Sequence, residues 1–234
     1  MLRAFGLDAG TTGNIALVTG VVALLVVLVR TPWRLARNVV TIVHEAGHAV
    51  IAVLAGRRLQ GIRLHSDTSG VTVSRGKPEG PGMVLTTLAG YPAPAVLGLA
   101  FAGLVSVGNL SAVLAIAAAL LLGVLVMVRN AYGVFAVVVS AAVLGGVALL
   151  AGPGVQAAFV YLMAWFLLLG AIRPVFELQA KRRRGAARDS DADQLARLTG
   201  VPAAIWLLVL GVLTGTCFVL GGMLLIEPAM AGPL

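Results

Sequence analysis

The sequence predicts an all-α polytopic membrane protein of about six to seven transmembrane helices, with one short cytoplasmic β-hairpin following the helix that carries its most distinctive motif. Three observations lead there. Of 234 residues, 59% are hydrophobic and 11% charged, and the mean hydropathy of +1.01 lies outside the range of a soluble domain. The apolar residues gather into long runs, each able at ~1.5 Å per residue to cross most of a ~30 Å hydrocarbon core. The polar residues concentrate in two stretches, 57–81 and 173–199.

The runs follow in order. The first, 14–29, sits behind a short segment that carries only Arg3 and Asp8. It has the length of a signal-peptide core, but no small-x-small cleavage site follows and Arg30, Arg34 and Arg37 come next, so it reads as a retained span. The second, 38–56, contains His44, Glu45 and His48, which a spanning helix would hold near mid-depth. In the first polar stretch Ile62 and Leu64 alternate with Arg63 and His65, residues 66–70 form a turn, and Val71 and Val73 alternate with Thr72 and Ser74. That is a hairpin signature. A free strand edge there can take up an extended peptide by strand addition, or the segment simply connects two spans.

Four further runs cover 83–107, 110–128, 131–151 and 155–176. Gly90-Tyr91-Pro92 with Pro94 interrupts the first of them, either lining a cavity or kinking the helix. Arg129-Asn130 marks a membrane boundary in the favoured reading; the other sends Asn130 toward the motif. The second polar stretch holds a basic cluster at 181–184, an interfacial anchor, and Ser190 three residues before Asp193, a helix-start pattern. A last run spans 202–226. No stretch outside the runs is long enough to bury a core, so 1–234 reads as a single membrane-embedded domain.

Charge and cysteine content narrow the partners. The formal charge of +8 would suggest nucleic acid in a soluble protein, but beside apolar runs it marks basic flanks facing anionic lipid. Nucleic acid is therefore not expected. The one cysteine, Cys217, excludes an internal disulfide framework and reads as a small buried apolar residue. With seven spans and a cytoplasmic N-terminus, fourteen Lys and Arg fall on the cytoplasmic side and only Arg30, Arg34 and Arg37 on the other. The positive-inside rule then favours that orientation.

Chemistry centres on residues 41–56, TIVHEAGHAVIAVLAG. Histidines four apart share one helix face, about 40° apart in projection, and two neutral imidazoles there can hold Zn²⁺. Glu45 is placed to take a proton from a metal-bound water. It is also the only acid in its run, and an unpaired charge in apolar surroundings is costly enough to require a partner. Gly47 permits close approach of backbone or substrate, or serves helix packing. A catalytic zinc takes three protein ligands and a water, so one ligand is missing. The candidates are His65, Asp67 and Glu79 in the hairpin region, Asp189, Asp191 and Asp193 in the late acidic cluster, and Glu177, Glu227 and Asp8 at run ends. Asp191 or Asp193 fits best, if the cluster does more than cap the helix that follows.

These residues resemble the site-2 protease class of intramembrane zinc metalloproteases, most closely its compact bacterial M50B-like branch. The segments HEAGHAVIAVLAG (44–56), LHSDTSGVT (64–72), AGYPAP (89–94), VRNAYG (128–133) and SDADQLARLTGVP (190–202) carry the resemblance and fall in the order of that branch. It implies a zinc-dependent endopeptidase of the bacterial plasma membrane that cuts membrane-embedded protein segments, with His44 and His48 as ligands and Glu45 as base. Better understood relatives carry their aspartate ligand in an Asn-Pro-x-x-x-Leu-Asp-Gly motif, which is absent here. Ser-Asp-Ala-Asp stands in the corresponding late position, and Asp191 takes the ligand role in this reading. The alternative is a catalytically inactive protein of the same fold that binds membrane segments. A transporter with His44 and Glu45 as a proton relay ranks last, for want of an internal repeat.

Overall fold

The computed structural model describes residues 9–185 and 190–230; Asp8 and Asp189 lie outside them. In chain order the elements are α1 (Ala9–Leu28), α2 (Arg30–Leu54), β1 (Arg58–Leu64), β2 (Gly70–Arg75), α3 (Pro81–Leu88), α4 (Pro92–Ser106), α5 (Leu110–Met127), α6 (Ala131–Leu150), α7 (Pro153–Arg183), α8 (Asp191–Thr199) and α9 (Ala203–Met230). The all-α body with a single antiparallel hairpin agrees with the sequence reading. Five helices, α1, α5, α6, α7 and α9, are long and apolar enough to cross a membrane, and α3 with α4 is apolar enough as a pair bent by 65°, a broken span or a re-entrant loop.

Helix α7 is the axis of the bundle. Half of its span window is buried, against 17% for α5, and it packs against α1, α4 and α9. Small residues let these helices close on it: Leu168 fills the space beside Gly98 of α4 and Gly221 of α9, where a Cβ would come within 3.0 Å and 2.7 Å. Trp165 of α7 donates its indole N–H to the Ala16 carbonyl of α1 at 3.0 Å. The outward faces of α5, α6 and α9 leave Leu122, Val126, Phe135, Leu149, Leu150 and Leu208 exposed, as lipid-facing surfaces require.

Helix α2 departs from the expected course. It is not among the apolar spans, because three arginines occupy its first eight residues and the rest is amphipathic. Its start lies beside the end of α7: Trp33 Nε1 donates to Glu177 Oε1 at 3.0 Å, and Arg37 pairs with Glu177 at 3.3 Å. Its far end lies beside Gly82 of α3, where a Cβ would meet the Ala55 methyl at 3.3 Å, and α3 packs on α8, which follows α7. Both ends of α2 therefore sit at the same end of the bundle. The seven-span alternation placed Arg30, Arg34 and Arg37 opposite residues 173–197, whereas the structure puts them beside Arg173, Lys181 and Arg184. The first described residues of α1 lie at the other end, since Ala16 is level with Trp165 and Val27 with Arg173.

After α2, Gly56 takes φ +71°, a left-handed conformation that costs glycine little, and the chain reverses into β1. The hairpin folds back along α2 until its turn reaches Thr41, whose hydroxyl donates to the Thr68 carbonyl at 2.9 Å. Ile62 and Leu64, both 1% exposed, pack with Ile42, Ala46 and Ala49 and with Val124, Val128 and Val137 of α5 and α6. The outer edge of β1 is occupied. Arg129 N–H donates to the Ile62 carbonyl at 2.9 Å, and Asn130 bonds both the N–H and the C=O of Leu64, at 3.2 and 2.6 Å. Asn130 thus braces the strand instead of pointing to the motif.

The chain course makes a testable claim about sidedness. In a Cys217→Ser background, Arg34→Cys and Arg183→Cys should react with a membrane-impermeant maleimide from the same side of a sealed vesicle. Labelling from opposite sides would restore a spanning α2.

Candidate metal centre

Three elements converge on the motif. Helix α2 supplies His44, Glu45 and His48, α8 supplies Asp191 from its first position, and the break between α3 and α4 covers the imidazoles. The Nε2 atoms of His44 and His48 are 3.1 Å apart, and each lies 3.3 Å from Asp191 Oδ2. His48 Nδ1 donates to the Thr86 carbonyl at 2.7 Å, so in the neutral ring Nε2 carries the lone pair and faces the other two atoms. Asp191 Oδ2 is buried and has no hydrogen-bond donor among the described residues. Burial pushes this carboxyl up, and the facing imidazoles pull it further down, below the usual carboxylate range. Three acceptor atoms facing one another repel unless a cation or shared proton lies between them, and this group can hold a metal ion.

Why Asp191 and not its neighbours follows from the start of α8. Ser190 is the N-cap: its hydroxyl accepts from Asp193 N–H at 3.3 Å and donates to Asp193 Oδ2 at 2.5 Å. Asp193 also pairs with Arg182 of α7. Burial raises its carboxyl, but Ser190 and Arg182 together hold it below the usual range. The cap is thus made by Ser190 with Asp193, which leaves Asp191, one helical position after the cap, to turn inward. His65 stays at the exposed hairpin turn, 3.3 Å from the Ser69 hydroxyl. Asp67 is bound there by the hydroxyl and N–H of Ser69 at 2.6 and 2.9 Å, which lower its carboxyl. Glu177 serves Trp33, Arg37 and Arg173, Glu79 is exposed, and Glu227 lies toward the far end of α9.

Glu45 is 3% exposed and has its partner in the hairpin. Thr72 Oγ1 donates to Glu45 Oε2 at 2.6 Å, with the Glu45 carbonyl at 3.0 Å. The other oxygen, Oε1, lies under Gly70, where a Cβ would come within 2.5 Å. Gly47 lets α2 meet the next helices: a Cβ there would be 2.8 Å from the Ala89 carbonyl. The interruption at 90–92 both bends the span and lines the site. A Cβ on Gly90 would lie 2.5 Å from His48 Cε1 and 2.7 Å from His44 Cε1, and the Tyr91 ring meets His44 edge-on at 4.9 Å. Thr72, Gly70 and Tyr91 all lay in segments the sequence had marked, but only the fold shows which of their atoms face the motif.

A cavity of about 140 Å³ opens beside the cluster between Thr68–Gly70, Arg37, Tyr91 and Pro174. The start of β2 forms one wall, and β2 carries no partner on its outer edge among the described residues. From Tyr91 the fifteen residues of α4 run about 22 Å toward the far end, so the cluster lies nearer the arginine-bearing end of the bundle.

Fold and site together define a polytopic membrane protein whose span-end helix presents a His-His-Asp group able to take a metal. Residues 17–221 match the family model described as Peptidase M50B-like, and the chain belongs to that family of peptidases. No curated protein and no solved structure matches the chain.

The close approach at Gly90 sets up a contrast between two glycines. Gly90→Ala should lower stability by about 1–3 kcal/mol, because the methyl overlaps both imidazoles. Gly145→Ala in α6, where a Cβ meets nothing within 4 Å, should be neutral or stabilising by up to about 1 kcal/mol. Thermal unfolding midpoints in detergent read both.

Proposed function

We propose that the protein is a zinc-dependent endopeptidase of membrane-embedded protein segments, with His44, His48 and Asp191 as metal ligands and Glu45 as general base. The observation that carries this reading is the triangle of ligand atoms. A tetrahedral zinc with bonds of ~2.0–2.1 Å has ligand atoms about 3.3 Å apart, and the three edges here measure 3.1, 3.3 and 3.3 Å. Two imidazoles and one carboxylate are also a donor set that suits zinc and leaves a fourth position for water. The peptidase family supports hydrolysis as the chemistry.

When bound, the ion supplies a Lewis acid for the attacking water and the scissile carbonyl. The chain's own groups do the rest. Thr72 anchors Glu45 Oε2, so Oε1 is the oxygen left to accept the water proton, and Gly70 keeps the space above it clear. The Thr86 carbonyl fixes the His48 tautomer, and Tyr91 sets the plane of His44. A substrate segment lies along the outer edge of β2, where unpaired N–H and C=O groups hold it extended beside the cavity. Strand pairing gives an unwound helix the backbone hydrogen bonds it has lost. The chain acts as one membrane-embedded domain in a bacterial plasma membrane. Its arginine-bearing end faces the cytoplasm by the positive-inside rule, which puts the start of α1 on the other side.

Purified wild-type protein should carry near-stoichiometric zinc by elemental analysis. His44→Ala, His48→Ala and Asp191→Ala should lose it, whereas Asp193→Ala and His65→Ala keep it. Glu45→Gln should retain zinc and cleave a membrane-embedded reporter about 10²–10⁴-fold more slowly. Full zinc in Asp191→Ala would remove that residue from the ligand set, and undiminished cleavage by Glu45→Gln would end the protease reading. A wild-type protein without zinc would favour the inactive segment-binding alternative.

A further inference from the structure

Outside the metal centre, an open pocket of about 420 Å³ lies between the first turns of α2 and the last turns of α7. Six cations line it: Arg30, Arg34, Arg37, Arg173, Lys181 and Arg184. They face one carboxylate, Glu177, which is already shared by Trp33, Arg37 and Arg173. Arg173 also donates to the Val27 carbonyl and lies 4.8 Å over the Trp33 ring. That leaves Arg30, Arg34, Lys181 and Arg184 without an acceptor among the described residues.

Lys181 and Arg184 have a local reason to be there, since the end of a helix favours positive charge. The α2 cations do not. Arg30 and Arg34 occupy the start of their helix, where the backbone dipole repels cations, and no acidic residue or side-chain cap offsets them. Arg30, Arg34, Lys181 and Arg184 are exposed, and six cations lining one open pocket create a positive potential that attracts an anion. We propose that this cavity seats the phosphate group of an anionic phospholipid. Arginine forks suit phosphate oxygens. The source we assign is lipid, because Leu28, Leu35 and Phe176, neighbours of these cations along the chain, are 65%, 76% and 71% exposed, an apolar surface that acyl chains cover and a free ion cannot. Its position at the arginine-bearing end also places it at headgroup depth.

The proposal is independent of catalysis and is tested by binding. Wild-type protein in neutral detergent is titrated calorimetrically with short-chain phosphatidylglycerol, with short-chain phosphatidylcholine and inorganic phosphate as parallel arms. The expected result is saturable binding of one phosphatidylglycerol per chain, with the other two at least about tenfold weaker. The triple variant Arg30→Gln, Arg34→Gln, Lys181→Gln should lose at least about tenfold in affinity. A second triple, Arg58→Gln, Arg75→Gln, Lys77→Gln, removes equal charge at the hairpin base and should bind as wild type. Equal affinity for inorganic phosphate would overturn the lipid assignment. Absence of saturable binding in the wild type, or equal loss in both triples, would overturn the site.

Discussion

Three lone-pair-bearing atoms held within 3.3 Å of one another are the constraint on which the rest of the structure rests. Such a group repels itself, so it persists only where the surrounding chain fixes each member from behind. His48 is fixed by a carbonyl at the end of α3, His44 by the Tyr91 ring, and Asp191 by the helix whose cap is made elsewhere. The bend between α3 and α4 exists at the one place where a side chain would strike both imidazoles. Local geometry that looks like interruption along the chain is, in space, the roof of the centre.

The hairpin is the second support. It contributes no ligand, yet it supplies the hydroxyl that orients Glu45 and the side-chain-free position above the carboxylate. Its underside is a small apolar core shared with α2, α5 and α6, so the position of Glu45 is tied to the packing of two lightly buried spans. Glu45 and the His-His-Asp group are thus held by different parts of the fold, although His44 and Glu45 are adjacent in sequence.

Much of this was legible in the chain itself. The apolar runs gave the spans because lipid leaves the backbone no alternative to internal pairing. The spacing of His44 and His48 gave a shared face, and the Ser190–Asp193 pattern gave the start of α8. The course of α2 was not legible from run length, because 38–56 is long enough to span. What decides its path is the arginine-rich turn before it and Glu177, which lies far along the sequence, and a one-dimensional hydropathy reading cannot pair them. The division of labour between Asp191 and Asp193 was open for a similar reason. Both suit a cap, and only the direction in which α8 leaves α7 turns one toward Arg182 and the other toward the imidazoles.

The bracing of β1 by residues 128–130 has an implication for self-association. A two-stranded ribbon ordinarily offers two open flanks, and molecules with two such flanks can add to one another without limit. Here one flank is sealed from within by an asparagine amide and a neighbouring peptide group. Any joining of copies through this ribbon therefore stops at a closed pair about a two-fold axis, and filament growth by that route is blocked.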